Sequence, residues 1–572
     1  MIRNRSILAV VVLALSVVAR SQVASTGSGT APKKTEQPPI GTIDGKVVNE
    51  RGQPLAGAMV FVRTVNAGIA RSTITDLEGN FRVNGLETGL YLVSGNSPAY
   101  TNVVGDPDAP KYYRLGDSAR VEMVKGGAIT GTVTSAMGEP LIGVRVRAIM
   151  IRDAKGQTAR LPGNIEQPTD DRGIYRIYGL APGTYLVSAG GSTFINSLSP
   201  FETDVPTFAP SSTRDTAAEV SVRSGEDVLV DIRYRGEPGH SISGSVKVLG
   251  TNNVSIALRR PGSTIPIANT IQIPGSRGFI VTGLADGDYY LTAQETIVNQ
   301  TTPGQLTLAF SEPKKVTVKG ADVTGVELVT KPLGSISGKI LLEPGKVAGC
   351  QGKRPPAMAE TLVRFRRPEK EIEQDEAQAL RSFAGSATPD ANGAFTLRNL
   401  QMGSYQLEPR FYARYWFLQS ITMNSAGAKP GRVDAAANWA MLKSGEQLSN
   451  LSITLAEGAA SLQGKVPAVD AASPPAVVVY LVPNDRDKVD DVLRYFVTDV
   501  DPDGTFTFTN LAPGKYLALT QTTVDPQIAT VAKLRQPDAN AARAKLRRTA
   551  ETKKSEIELK PCENLADYQL KQ

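Results

Sequence analysis

From residue 41 onward, apolar and polar positions alternate in short runs broken by turn residues, and one arrangement of those runs recurs five times. Each copy opens on a period-2 strand built round a glycine: residues 42–48 (TIDGKVV), 128–133 (AITGTV), 241–246 (SISGSV), 335–340 (SISGKI) and 461–466 (SLQGKV). Toward its end each copy carries a turn, a short alternating strand, a second turn and a tyrosine strand. TDLEGNFRVNGLETGLYL from Thr75 and DPDGTFTFTNLAPGKYLAL from Asp501 are the first and last versions. The aligned tyrosines are Tyr91, Tyr185, Tyr289, Tyr405 and Tyr516, spaced by 94, 104, 116 and 111 residues. A period of that length is a whole domain, so the pattern predicts a string of folded all-β domains in series.

Each recurring residue has a packing reason. An Asp followed by Gly between extended runs hydrogen-bonds its own backbone and supplies φ > 0, which folds the strands back as a hairpin. The aromatic residue just after it (Phe81, Tyr175, Phe279, Phe395 or Phe506) starts a strand with one buried face. Leu86, Leu180, Leu284, Leu400 and Leu511 sit under the next turn as core plugs. The tyrosine that follows buries a large ring while its hydroxyl reaches a backbone partner. Closing strands are expected at 120–124, 228–235, 325–330, 450–455 and 556–559. In the fifth copy a helical insert at about 526–553, broken at Pro537, precedes that strand. Ala539, Ala542, Leu546 and Ala550 recur near helical spacing and should face the last domain.

The expected boundaries are 41–125, 126–236, 237–332, 333–457 and 458–572. Ahead of them, Arg3 and Arg5 precede a thirteen-residue apolar run, 7–19, too short to span about 30 Å of hydrocarbon. Residues 1–21 read as a cleaved secretory signal and 22–40, rich in Ser, Thr, Gly, Pro and Lys, as a flexible spacer. No later run is apolar for eighteen residues, so the mature chain should have no transmembrane span. A secreted location is expected: periplasmic, cell-surface or extracellular. Five domains of about 33 Å laid end to end would reach about 160 Å.

The formal charge is +7. Without the leader it falls to +4, and residues 533–554 alone hold eight basic against two acidic side chains. The rest is close to neutral, which argues against a nucleic-acid partner, and the basic run reads as a solvated helix face. One His and two Cys in 572 residues leave little for nucleophile–imidazole chemistry or a metal cage. No catalytic residue, cofactor or metal site is expected. The Asp-rich turns, such as 499–504, lack the terminal bidentate Glu of a calcium loop and read as plain hairpins. Cys350 and Cys562 should pair in an oxidising compartment. The aromatic run 411–417, with Tyr412 and Trp416, and the nearby Trp439 fit either a sandwich core strand or a stacking platform for a sugar ligand.

The run Gly52-Gln53-Pro54-Leu55-Ala56-Gly57-Ala58, then Thr75-Asp76, Gly79-Asn80-Phe81 and Gly89-Leu90-Tyr91, resembles the carboxypeptidase regulatory-like domain. So does the second copy, through Gly138-Glu139-Pro140-Leu141-Ile142-Gly143-Val144 and Gly179-Leu180-Ala181-Pro182-Gly183-Thr184-Tyr185. Copies three to five keep the terminal hairpin and lose the Gly-x-Pro-Leu segment. The resemblance implies a transthyretin-like or Ig-like β-sandwich, grouped with Cna protein B-type and carbohydrate-binding-like folds. The domain is named as an accessory to a zinc carboxypeptidase, whose metal needs two His and a Glu. Here the sole imidazole is His240, so no peptidase domain is expected. The Cna B-type likeness raises Lys–Asn crosslinks at Lys46, Lys339 and Lys465, but Thr132 and Ser245 take that place in copies two and three.

The expected function is therefore an exported, non-catalytic binding, spacer or scaffold module. Its expected partner is a protein or polysaccharide of the envelope or extracellular matrix. A carbohydrate-binding protein and an accessory subunit of a secreted hydrolase are the alternatives.

Overall fold

The computed structural model describes residues 40–570 apart from 66–68, 104–109, 159–164, 192–199, 251–253, 262–266, 273–277, 299–305, 351, 369, 372–385, 425–431, 467–475, 524–529 and 554. The expected leader, nearly all of the spacer and the start of the helical insert lie outside the described residues. In every copy the glycine-centred opening strand lies inside its sheet. The strand before the tyrosine turn pairs with it antiparallel and the closing strand pairs with it parallel. In the first copy these are Ile40–Asn49, Asn80–Glu87 and Ser118–Lys125. In the fourth they are Gly334–Glu343, Ala394–Leu400 and Gln447–Glu457. A second sheet, built on Met59–Thr64 with Tyr91–Asn96 in the first copy and Ala476–Pro483 with Gly514–Thr523 in the fifth, packs across the core. Five hydrophobic clusters, one per copy, fill these sandwiches.

Strand pairing explains the opening glycine. Gly45, Gly131, Gly244, Gly338 and Gly464 each stand opposite the aromatic residue of the antiparallel neighbour: Phe81, Tyr175, Phe279, Phe395 and Phe506. A Cβ on Gly338 would lie 2.5 Å from the Leu451 carbonyl oxygen and 2.8 Å from the Phe395 ring. The missing side chain is what lets an aromatic ring and the closing strand approach together. Each opening strand also shifts register near its start, opposite a residue in the left-handed region. That residue is Gly85, Gly179 or Gly283 in the first three copies and Asn399 or Asn510 in the last two, all with φ between 57 and 72°.

The third copy differs in one respect. Its strand Leu306–Ser311 pairs with both Gly287–Val298 and Val323–Pro332, which joins the two sheets into one of eight strands. The fifth copy corrects two expectations. Glu556–Leu559 does not close the first sheet; it joins the second, beside the tyrosine strand. Asn564–Gln569 is the parallel partner of the opening strand Ala460–Lys465. The insert forms a short helix Val531–Leu534, a 3₁₀ turn at Pro537–Ala539 and a helix Asn540–Lys553. That last helix buries Arg543, Leu546 and Ala550, while Ala542 is exposed. The Arg543 guanidinium donates to the Leu534 and Gln536 carbonyls, capping the preceding short helix, and this draws position 543 inward where alanine spacing favours 542.

The copies also touch out of sequence. The Arg114 guanidinium of the first copy lies 4.8 Å from the Tyr412 ring centroid of the fourth.

Candidate functional site

The shared tyrosine turn is a packing device. The hydroxyls of Tyr91, Tyr185, Tyr289, Tyr405 and Tyr516 donate to the carbonyls of Glu87, Ala181, Ala285, Gln401 and Ala512, each four residues earlier, at 2.6–2.8 Å. The rings are buried, and burial pushes the Tyr516 hydroxyl up to about 12. The Asp turns are equally occupied. Asp76, Asp170 and Asp390 accept backbone N–H groups two or four residues on. Among the described residues no three His, Cys, Asp or Glu side chains converge as metal ligands. His240 lies 3.6 Å from Asp286 and 3.9 Å from Asp322. Lys339 stands opposite Ala394 and Ser452, and Lys465 opposite Thr505 and Gln569, so no asparagine faces either lysine across its sheet. Lys46 does stand opposite Asn80, whose amide is exposed and donates to Asp76.

Chemistry concentrates where the fourth and fifth copies meet. Cys350 and Cys562 are bonded, with Cα atoms 5.6 Å apart. The loop carrying Cys350 is held by the buried Glu457 carboxylate, which accepts from Gly345 N and Lys353 N at 2.8 Å each. Cys562 N donates to Gly458 O at 3.0 Å. Asn510 donates to the Ala413 and Trp416 carbonyls at 2.7 and 2.6 Å. Gln406 donates to Arg535 O at 2.8 Å. The Arg535 guanidinium in turn donates to Leu493 O and Tyr495 O and lies over the Phe496 ring. Burial pushes its pKa down to about 10, so it stays charged at neutral pH.

The three aromatic candidates do not share a surface. Trp416 is 3% exposed and packs within the fourth core, beside Val492 and Leu493 of the fifth copy. It offers no face to a sugar, which corrects its place in a binding platform. Tyr412 is partly exposed under Arg114, and Trp439 is half-buried. Next to Tyr412, Glu408 pairs with Arg366 at 3.0 Å and Arg410 at 3.3 Å. Burial raises the Glu408 pKa, but the guanidinium groups of Arg366, Arg410 and Arg364 outweigh it and the net pKa is lowered.

A different surface is open. On the outer face of the second sheet of the first copy, Met59 is 42% exposed, Ile74 62% and Leu92 37%. Beside them a cavity of about 320 Å³ is lined by Phe61, Arg63, Ser94, Asn96, Tyr100 and Thr101, with Gly179 of the second copy at its edge. Strand pairing sets Phe61 opposite Ser94 and Met59 opposite Asn96, which puts them on one face. The run MVFVRT carried the signal for this face: it is apolar at outward as well as inward positions, so both sides of the strand are built to touch something.

Residues 42–107 match the family model described as the carboxypeptidase regulatory-like domain. No curated protein matches the chain. Among solved structures, the chain is similar to the Bacillus anthracis TIE protein at 16% identity. That match covers 51% of this chain and 50% of that one, half its length, with a TM-score of 0.14. It is also similar to GBS52, the minor pilin of Streptococcus agalactiae, at 14% identity, covering 34% of this chain and 94% of that one, with a TM-score of 0.20. BcpA, the major pilin subunit of Bacillus cereus, matches at 11% identity over 51% and 99%, with a TM-score of 0.14.

Proposed function

We propose that the chain is an exported, non-catalytic structural or adhesive module of five β-sandwich domains, 41–125, 126–236, 237–332, 333–457 and 458–572, acting at the cell envelope or outside it. The observation that carries this reading is the fate of the recurring residues. In all five copies the tyrosine hydroxyl donates to a backbone carbonyl, and the opening glycine makes room for the closing strand's backbone, with an aromatic ring beside it at Gly45, Gly338 and Gly464. The repeat thus encodes five stiff cores. The Cys350–Cys562 bond and its surrounding hydrogen bonds support a load-bearing junction between the last two domains. Among the described residues no helix is long and apolar enough to cross a membrane.

Fractionation of the producing cells, followed by pull-down with the mature chain, tests the reading. Recovery in the envelope or medium together with an envelope component is expected. Turnover of a peptide, ester or glycoside substrate by the purified chain would end the non-catalytic claim. Titration of the unfolded mature chain without reductant should find no free thiol.

A further inference from the structure

The fifth copy divides its charge between two parts. Its helical insert, over residues 533–554, holds eight basic and two acidic side chains, while the rest of 458–572 holds seven basic and thirteen acidic. The basic groups of the insert have different fates. Arg535 and Arg543 turn inward and donate to main-chain carbonyls, Arg535 to those of Leu493 and Tyr495, Arg543 to those of Leu534 and Gln536, so they add positive charge beneath the helix Asn540–Lys553. Arg547 pairs with Glu551 at 3.1 Å. Lys553 stands in the last turn, where a cation suits the helix dipole.

Lys545 and Arg548 have no such role. Both are exposed in the middle of the helix, on the side turned away from Leu546 and Ala550, and neither makes an ion pair among the described residues. They lie three residues apart, a like-charge spacing that weakens a helix. The carboxylate within helical reach of Arg548 is Glu551, which Arg547 already holds. Ala541, Ala542 and Ala544 are exposed too and put nothing larger than a methyl group beside them. A charge pair that weakens its own helix and serves no contact within the fold points to a contact outside it.

We propose that this helix face docks on an anionic bilayer, through the phosphodiester headgroups of acidic phospholipids. The proposal rests on the envelope reading above and names the surface that retains the chain there. The face is positive, the complement of a sheet of fixed negative charge. Leu546, the only large apolar residue of the helix, is buried against the fifth copy, so the outward side offers no aromatic or aliphatic anchor of the kind on which a protein interface depends. For the same reason the helix has no apolar edge to enter hydrocarbon, and the contact is peripheral and electrostatic. The alanines let the helix lie close to a flat surface, and a lipid array brings a phosphate to each cation without a matching shape.

Flotation of the mature chain with vesicles of phosphatidylglycerol and phosphatidylcholine, against vesicles of phosphatidylcholine alone, tests the proposal. The chain should bind the acidic vesicles at about 0.01 M salt and leave them at about 1 M, where the screening length falls from about 30 Å to about 3 Å. Lys545→Gln combined with Arg548→Gln should weaken binding roughly twentyfold, about fivefold for each charge removed, with an unchanged melting curve because both side chains are exposed. Lys314→Gln combined with Lys319→Gln removes the same charge from exposed positions of the third copy and should bind as the wild type does. Equal binding to the neutral vesicles, binding that survives about 1 M salt, or full binding by the Lys545→Gln, Arg548→Gln chain overturns the proposal. So does retention on immobilised polyglutamate at a salt concentration that strips the chain from acidic vesicles, which would make the face a docking site for an acidic macromolecule. A chain that fractionates with the envelope yet ignores acidic vesicles leaves the module reading standing while the lipid assignment fails; recovery in the cytoplasm alone ends both.

Discussion

The last two sandwiches are tied together: a helix covers the outer face of the fifth, the Cys350–Cys562 bond joins it to the fourth, and Asn510 and Gln406 stitch the seam. The first sandwich has the same glycine-centred strand, the same tyrosine turn and a core of the same kind, yet its second sheet ends at solvent. Two regions built from one repeat thus divide the work. The recurring positions make a stable domain, and the non-recurring ones decide whether that domain is locked to its neighbour or left open to a partner. Burying the outer face adds stability in proportion to the apolar area removed from water, and leaving it open keeps that free energy available for binding.

The largest way to break this contrast is the disulfide. Cys350→Ser opens a loop of 212 residues, which the chain-entropy account values at roughly 5 kcal/mol. Calorimetry should show the transition of the last two domains moving down, with the first domain's transition in place, and reductant should reproduce the shift in the wild type. A change in the first domain would mean that the copies unfold as one unit.

The shared core can be tested on both sides of the contrast. Gly338→Ala forces a Cβ to 2.5 Å from Leu451 O and 2.8 Å from the Phe395 ring, and Gly45→Ala forces one to 2.5 Å from the Phe81 ring. Each should cost about 3 kcal/mol, read by urea unfolding, and the two costs should agree because the device is the same. Asn510→Gly keeps the backbone conformation and removes two hydrogen bonds to the fourth copy, for about 1–2 kcal/mol of coupling between the last two domains. A double-mutant cycle with Cys350→Ser would show whether the two staples act together. Tyr516→Phe strips the bond to Ala512 O and should cost about 1 kcal/mol, with Tyr91→Phe costing a similar amount.

The smallest effect is in pH. Glu408 has its pKa lowered from an ordinary value of 4.5 in the folded chain. Its contribution to stability is present above that ordinary value and is lost as pH falls through the lower folded value. Glu408→Gln should flatten the acid limb of a stability–pH curve for the fourth domain and leave the neutral region's slope unchanged.

Much of this architecture was legible before any coordinates. Five tyrosines at domain-length spacing, each preceded by a turn and a leucine plug, identify the sandwiches, because side-chain alternation reports directly which face of a strand is buried. Asp turns declare hairpins for an equally local reason. Where the reading slipped, the deciding contact was distant. Glu556–Leu559 alternates as well as any closing strand, and only pairing shows that Asn564–Gln569 takes that place. Trp416 sits in an aromatic run that would suit a ligand platform, and it is buried in a cluster that also takes in Val492 and Leu493 from the next copy.

Local periodicity thus settled most of the strands, the turns and the recurring core positions, since each follows from residues within a few positions of one another. Folding in three dimensions decided why a glycine opens every copy, which Ala or Arg of the last helix faces inward, that Arg114 meets Tyr412, and that Met59, Ile74 and Leu92 of the first copy stay exposed. Alternation marks a surface as apolar; what comes to lie against it is set by chain tens to hundreds of residues away, and no short-range pattern encodes that.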